Sequence, residues 1–148
     1  MATVTPTIRA AVYATVSTFD QEPETQLQEL RRYVEARGWT AVEYVDQGVS
    51  GSKESRPALD ALMKAVQRKQ VDAVVVFALD RLGRSLSHLI RIVEDWQGLG
   101  VSLVSLRDGL DLGSASGRLQ MHILAALAHY AERMIMRSQV PDRGRIAA

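Results

Sequence analysis

Two hydrophobic periods take turns along this chain, and nothing else in the sequence limits its fold so tightly. Ile8–Val16 (IRAAVYATV), Thr40–Asp46 (TAVEYVD), Asp72–Leu79 (DAVVVFAL) and Val101–Leu106 (VSLVSL) are short runs rich in apolar and β-branched residues, the mark of strands. Between and after them the apolar residues fall three and four apart. Thr25–Arg37 places Leu27, Leu30, Tyr33 and Val34 on one helical face, with Gly38 as its stop. Pro57 suits the first turn of a helix through Arg68 that directs Leu59, Leu62, Met63 and Val66 inward. Leu86–Leu99 is a third helix ended by Gly100, and Gly117–Arg137 a fourth, closed before Pro141. Strand and helix alternating four times predict an α/β fold: an open, mostly parallel sheet with helices on both faces and a long C-terminal helix.

Sheets of this kind present their ligand sites at the carboxyl ends of the strands. Four polar segments fall there: Ser17–Glu24, Asp46–Arg56, Asp80–Ser85 and Arg107–Ser116. Composition then removes most chemistries. The 148 residues hold no cysteine, which excludes disulfides, thiolate metal sites and cysteine nucleophiles. His88, His122 and His129 have no H-E-x-x-H spacing and read as surface or packing histidines, so no metal site is predicted. There is no G-x-x-x-x-G-K-[ST] loop for nucleotide phosphates, and Gly48-Val49-Ser50-Gly51 is not a nucleophile elbow. No apolar run approaches the roughly 20 residues of a membrane span, and the start carries no secretory stretch, so a cytoplasmic location is expected. Of the 18 basic residues most are arginine, whose planar fork suits oxyanions, yet the net charge is only +1.

Ser17 stands where the first strand ends. Alone, such a serine is a turn or cap residue. The third strand ends in Leu79-Asp80-Arg81-Leu82-Gly83-Arg84-Ser85, which brings a carboxylate and two guanidinium groups to the same sheet edge, and Arg56 joins them from the second loop. Taken singly, Asp80 and its neighbours read as an N-cap with exposed ion pairs. A serine among arginines with no histidine is poorly equipped for acyl transfer. It suits phosphoryl transfer, where neutralising oxygens and placing the nucleophile matter most.

The motifs Y-A-x-V-S-T at 13–18, Gln21 and Gln26, G-x-S-G at 48–51, R-P at 56–57, L-D-R-L-G-R-S at 79–85 and A-L-A-x-x-A-E-R at 126–133 together resemble the serine site-specific recombinases, the resolvases and invertases. The resemblance implies that Ser17 attacks a DNA phosphodiester to form a 5′-phosphoserine bond and release a 3′-hydroxyl. It implies that Arg56, Arg81 and Arg84 surround the scissile phosphate and that Asp80 positions these groups or assists proton transfer. Gln21 and Gln26 match polar residues beside the nucleophile. Glu132 and Arg133 match positions on the long helix that builds the dimer and faces DNA. The implied partners are double-stranded DNA and further copies of the chain, as a homodimer or tetramer. No metal, nucleotide or other cofactor is implied.

Three departures from the family pattern stand out. Thr15 takes the place of an arginine two residues before the nucleophile, so the chain is expected to be a slow or inactive recombinase unless another arginine, such as Arg9 or Arg118, reaches the site. The long helix meets Pro141 early, and no helix-turn-helix domain follows. The expected organisation is a catalytic domain over 1–137, with its long helix from about 117, and a flexible tail over 138–148. The rival reading is a catalytically weak, truncated relative that only pairs with itself or a full-length recombinase. A domain that binds a small phosphorylated ligand is a third reading, weakened by the lack of a glycine-rich phosphate loop.

Overall fold

The computed structural model describes residues 7–17, 23–48, 56–83 and 85–139. Its elements alternate as the hydrophobic periods require: β1 (Arg9–Ser17), α1 (Pro23–Ala36), β2 (Thr40–Gly48), α2 (Pro57–Gln67), β3 (Ala73–Val76), α3 (Leu86–Gly98), β4 (Ser102–Ser105), β5 (Leu110–Asp111) and α4 (Ala115–Gln139). The sheet order is β2-β1-β3-β4-β5, with the first four strands parallel and β5 antiparallel. Alternation along β1 divides the core in two. Ala10, Val12 and Ala14 pack with Leu30 and Val34 of α1 on one face. Ala11 and Tyr13 face the larger core, built with Leu62 and Val66 of α2, Ile90 and Trp96 of α3, and Met121 and Ala128 of α4. Chain order reverses between β1 and β3, which makes the crevice at their carboxyl ends the natural place for a site.

Three boundaries differ from the sequence reading for identifiable reasons. The apolar run Asp72–Leu79 pairs only as far as Val76, and Leu79–Arg81 winds into a single 3-10 turn. Ala78 and Leu82 are buried by packing rather than by pairing, a distinction an apolar run does not encode. The segment Arg107–Ser116, read as loop, contains β5. Asp108-Gly109 is a hairpin-type pair, and Gly109 takes φ +62°, which brings Leu110 back beside Ser105. The last helix is longer than expected at both ends: it begins at Ala115, capped by Ser114, whose hydroxyl accepts from the Gly117 amide at 3.0 Å, and it runs on to Gln139.

The apolar residues of α4 fall in two stripes, Leu119, Ile123, Leu127, Tyr130 and Met134 in the first and Leu124, Ala128, Ala131 and Ile135 in the second, and the two have different fates. Met121, Leu124, Ala125 and Ala128 join the core. Leu119, Ile123, Leu127, Tyr130 and Met134 are exposed along its outer face, and so is Ile135 from the second stripe. None of the described helices is long and apolar enough to cross a membrane.

Candidate active site

The site is built where β1, β2 and β3 end. Tyr13 is fully buried, and its hydroxyl donates to Asp46 Oδ2 at 2.8 Å. Asp46, the buried acid of β2, also accepts the Ala58 amide at 2.8 Å and the Leu59 amide at 3.0 Å. Those amides belong to the first turn of α2, where helix N–H groups have no internal partner. Arg56 holds the N-cap position but offers no side-chain cap, so Asp46 caps the helix from the neighbouring strand. Burial raises the Tyr13 phenol well above its usual range, and the hydrogen bond to Asp46 adds to the shift.

Freed from capping, the half-buried Arg56 reaches across to the 3-10 turn. Its Nη1 donates to the carbonyl oxygen of Arg81 at 2.7 Å. Arg81 in turn sends Nη1 to Thr15 Oγ1 at 3.1 Å, and its Nε lies 3.8 Å from Asp80 Oδ1. Thr15 shares the β1 face of Tyr13, two residues on. Two guanidinium groups therefore converge on the end of β1, anchored through backbone and hydroxyl contacts. Arg81 keeps 29% of its side chain exposed, and Asp80 keeps 72%. Such an arrangement fits an anionic group arriving from solvent.

Each predicted residue has a definite standing. Arg56, Asp80 and Arg81 come together at one sheet edge, and the Ser17 backbone closes β1 opposite Gly48. Asp80 is not an N-cap; it lies inside the 3-10 turn, whose N-cap is Ala78. Gln26 is half-buried on the first turns of α1. Gln21 and Arg84 lie outside the described residues, as does the 48–51 motif beyond Gly48. Glu132 and Arg133 sit on α4. Glu132 lies 3.9 Å from His129, which reaches Glu94 of α3 at the same distance. Tyr13 and Asp46 were missed as site residues. Asp46 carried a signal, an acid at a strand end, but nothing in the sequence tied it to a helix start twelve residues later.

The family-model comparison settles the lineage, matching residues 10–143 to the resolvase N-terminal domain. The chain belongs to the resolvase N-terminal domain family. A DNA-invertase of Escherichia phage P1 is 36% identical over 124 residues, covering 84% of this chain and 62% of that protein. Among solved structures, the N-terminal catalytic domain of TP901-1 integrase is similar with a TM-score of 0.74 and 35% identity, covering 85% of this chain and 98% of that one. A resolvase-family site-specific recombinase from Streptococcus pneumoniae gives 0.73 and 30%, covering 89% and 92%. The chain spans about three fifths of the length of the first curated relatives it matches.

Within this resolvase-type domain the Thr15 question has a structural answer in part. Arg9 cannot stand in, because it opens β1 at the far end and is paired with Asp72, which hydrogen-bonds it and is held below its ordinary pKa by it. Arg118 lines a cavity with Val101 and Ser102, at the amino end of β4. The guanidinium found beside residue 15 is that of Arg81. Among the described residues no cluster of three or more potential ligands could hold a metal ion.

Proposed function

We propose that this chain is the catalytic domain of a serine site-specific recombinase that cuts and rejoins duplex DNA in the cytoplasm, as a dimer or tetramer. The catalytic unit takes in the whole of α4, to Gln139, rather than ending at 137. Ser17 Oγ attacks a backbone phosphorus, forming a 5′-phosphoserine ester while the bond to the 3′-oxygen breaks. One proton moves in balance, from the serine hydroxyl to the departing 3′-oxygen. Because one phosphate ester replaces another, the step can be reversed by a new 3′-hydroxyl without an outside energy source. Arg56, Arg81 and Arg84 stabilise the charge that gathers on the phosphoryl oxygens, and Asp80 positions them or assists the proton. Gln21 and Gln26 support the nucleophile, and Glu132 and Arg133 serve the assembly helix.

The observation that carries this reading is the convergence of Arg56 and Arg81 on the end of the strand that terminates in Ser17. Nicked duplex substrates, which trap the covalent state, test it. The chain should yield a protein–DNA adduct at Ser17, and Ser17→Ala should yield none while keeping its fold. Adducts that persist in Ser17→Ala, or vanish in Ser50→Ala instead, would move the nucleophile elsewhere. A well-folded chain that assembles but never forms an adduct would leave only the pairing role.

A further inference from the structure

The segment that presents Asp80 and Arg81 is a single 3-10 turn, a weak element with few bonds of its own. Its N-cap is Ala78, which has no side-chain acceptor to offer. The cap comes from 29 residues away: the Leu79 amide donates to Asp108 Oδ2 at 2.9 Å, from the turn between β4 and β5. The Ser105 hydroxyl donates to that same oxygen at 2.6 Å. Ser105 is only 1% exposed, at the end of β4, where an alanine or valine would satisfy packing alone. The backbone adds two more ties, Leu106 N–H to the Val76 carbonyl at 3.1 Å and Arg107 N–H to the Phe77 carbonyl at 2.8 Å.

We propose that Asp108, aimed by Ser105, is a positioning residue that fixes the Leu79–Arg81 turn and, through it, the Arg81 guanidinium. The inference rests on the recombinase reading above. A serine or aspartate at position 78 would cap the turn equally well but would not lock it to the sheet. The distant cap does both. Asp108 holds the start of the turn against β4, and Arg56 holds its end through the Arg81 carbonyl. Between those two fixed points the Arg81 side chain reaches Thr15 at 3.1 Å. The second arginine-bearing segment is built the same way, since Arg56 opens α2 and Asp46 caps it from β2. Arg56 and Arg81 thus each stand on a turn capped by a remote aspartate. Catalytic cations need such fixing, because a displacement of about 1 Å can cost on the order of a hundredfold in rate.

The test compares Asp108→Ala, Asp108→Asn and Ser105→Ala with the parent chain by amide hydrogen exchange and by single-turnover cleavage of nicked duplex DNA. In Asp108→Ala the Leu79 amide should exchange about tenfold faster, the size of a typical lost cap, with the Val75 amide unchanged. Adduct formation at saturating DNA should slow about tenfold or more, with the half-saturating DNA concentration unchanged. Asparagine keeps an acceptor oxygen for both donors, so Asp108→Asn should stay within about threefold of the parent in both measurements. Should Asp108→Ala fail to fold, Ser105→Ala carries the comparison, with faster Leu79 exchange and slower cleavage expected. Unchanged Leu79 exchange, loss of protection shared equally by Val75, or parental cleavage by Asp108→Ala would overturn the proposal. A parent chain that makes no adduct overturns the recombinase reading itself, and the Leu79 exchange then decides the anchoring alone.

Discussion

Thr15 is where a single side chain decides most. Its hydroxyl accepts from Arg81, so the place an additional arginine would fill is already next to a guanidinium. Thr15→Arg should have two opposite effects. Without DNA, two like charges about 4 Å apart at the protein surface should cost stability, on the order of 1 kcal/mol or more. With DNA bound, the added donor faces a phosphate, and one preorganised donor at such a site is worth on the order of 10²–10³ in rate. The check is a denaturant melt beside cleavage of nicked duplex; a parent chain that cuts as fast as Thr15→Arg would mean position 15 lacks nothing. Tyr13 makes a pH prediction of known sign. Its folded-state pKa is raised above the ordinary 10.0, so its contribution is complete below pH 10 and fades as pH climbs past that value. Tyr13→Phe strands part of the buried Asp46 carboxylate and should cost about 1–3 kcal/mol at pH 8. That gap should narrow by pH 11 in paired urea titrations. The sequence pointed to Arg56, Asp80 and Arg81 because a carboxylate and several arginines fall together at the ends of neighbouring strands. It did not disclose Tyr13, Asp46 or Asp108, whose roles lie in hydrogen bonds across 33, 12 and 29 residues.

Between elements, α4 is the one whose packing leaves most undone. A helix with a core-facing stripe and an exposed apolar stripe beside it has a second surface to cover. Leu119, Ile123, Leu127, Tyr130 and Met134 form that surface, and another copy of the chain is its expected cover. Sedimentation at micromolar concentrations should show a dimer or larger, and Leu127→Asp should shift it to monomer without lowering helix content. The start of α4 is fixed more tightly. A side chain on Gly117 would overlap the carbonyl oxygen of Asp111, so the helix can approach β5 this closely only with glycine there. Gly117→Ala should cost about 1–3 kcal/mol, measured as a lower urea midpoint, by pushing α4 off β5. The helices and parallel strands were legible because each has one dominant apolar period. Which stripe of α4 faces the core was not, since Leu124 and Leu127 are equally apolar and only the position of α3 distinguishes them. The two-residue β5 is too short to carry a period, and its only herald was Asp108-Gly109.

For the whole molecule, stoichiometry follows from the chemistry proposed for Ser17. One serine can hold one strand end, and exchanging two duplexes requires four strands to be broken and held at once. The proposed chemistry therefore predicts four copies in one assembly, each contributing its own Ser17, with the exposed face of α4 available to join them. Mixing separates the single cut from the full exchange. Ser17→Ala keeps α4 and the arginines, so it should enter assemblies freely with the parent chain. At equal amounts, adduct on nicked DNA should fall only to about one half, because each parent serine still cuts its own strand. Recombinant product should fall to roughly one sixteenth, the chance that all four places hold an active serine. The Leu127→Asp chain should poison neither reaction, because it fails to join. Product that falls only by half in the mixture would mean that one copy performs every break, which a single Ser17 held in ester linkage cannot do.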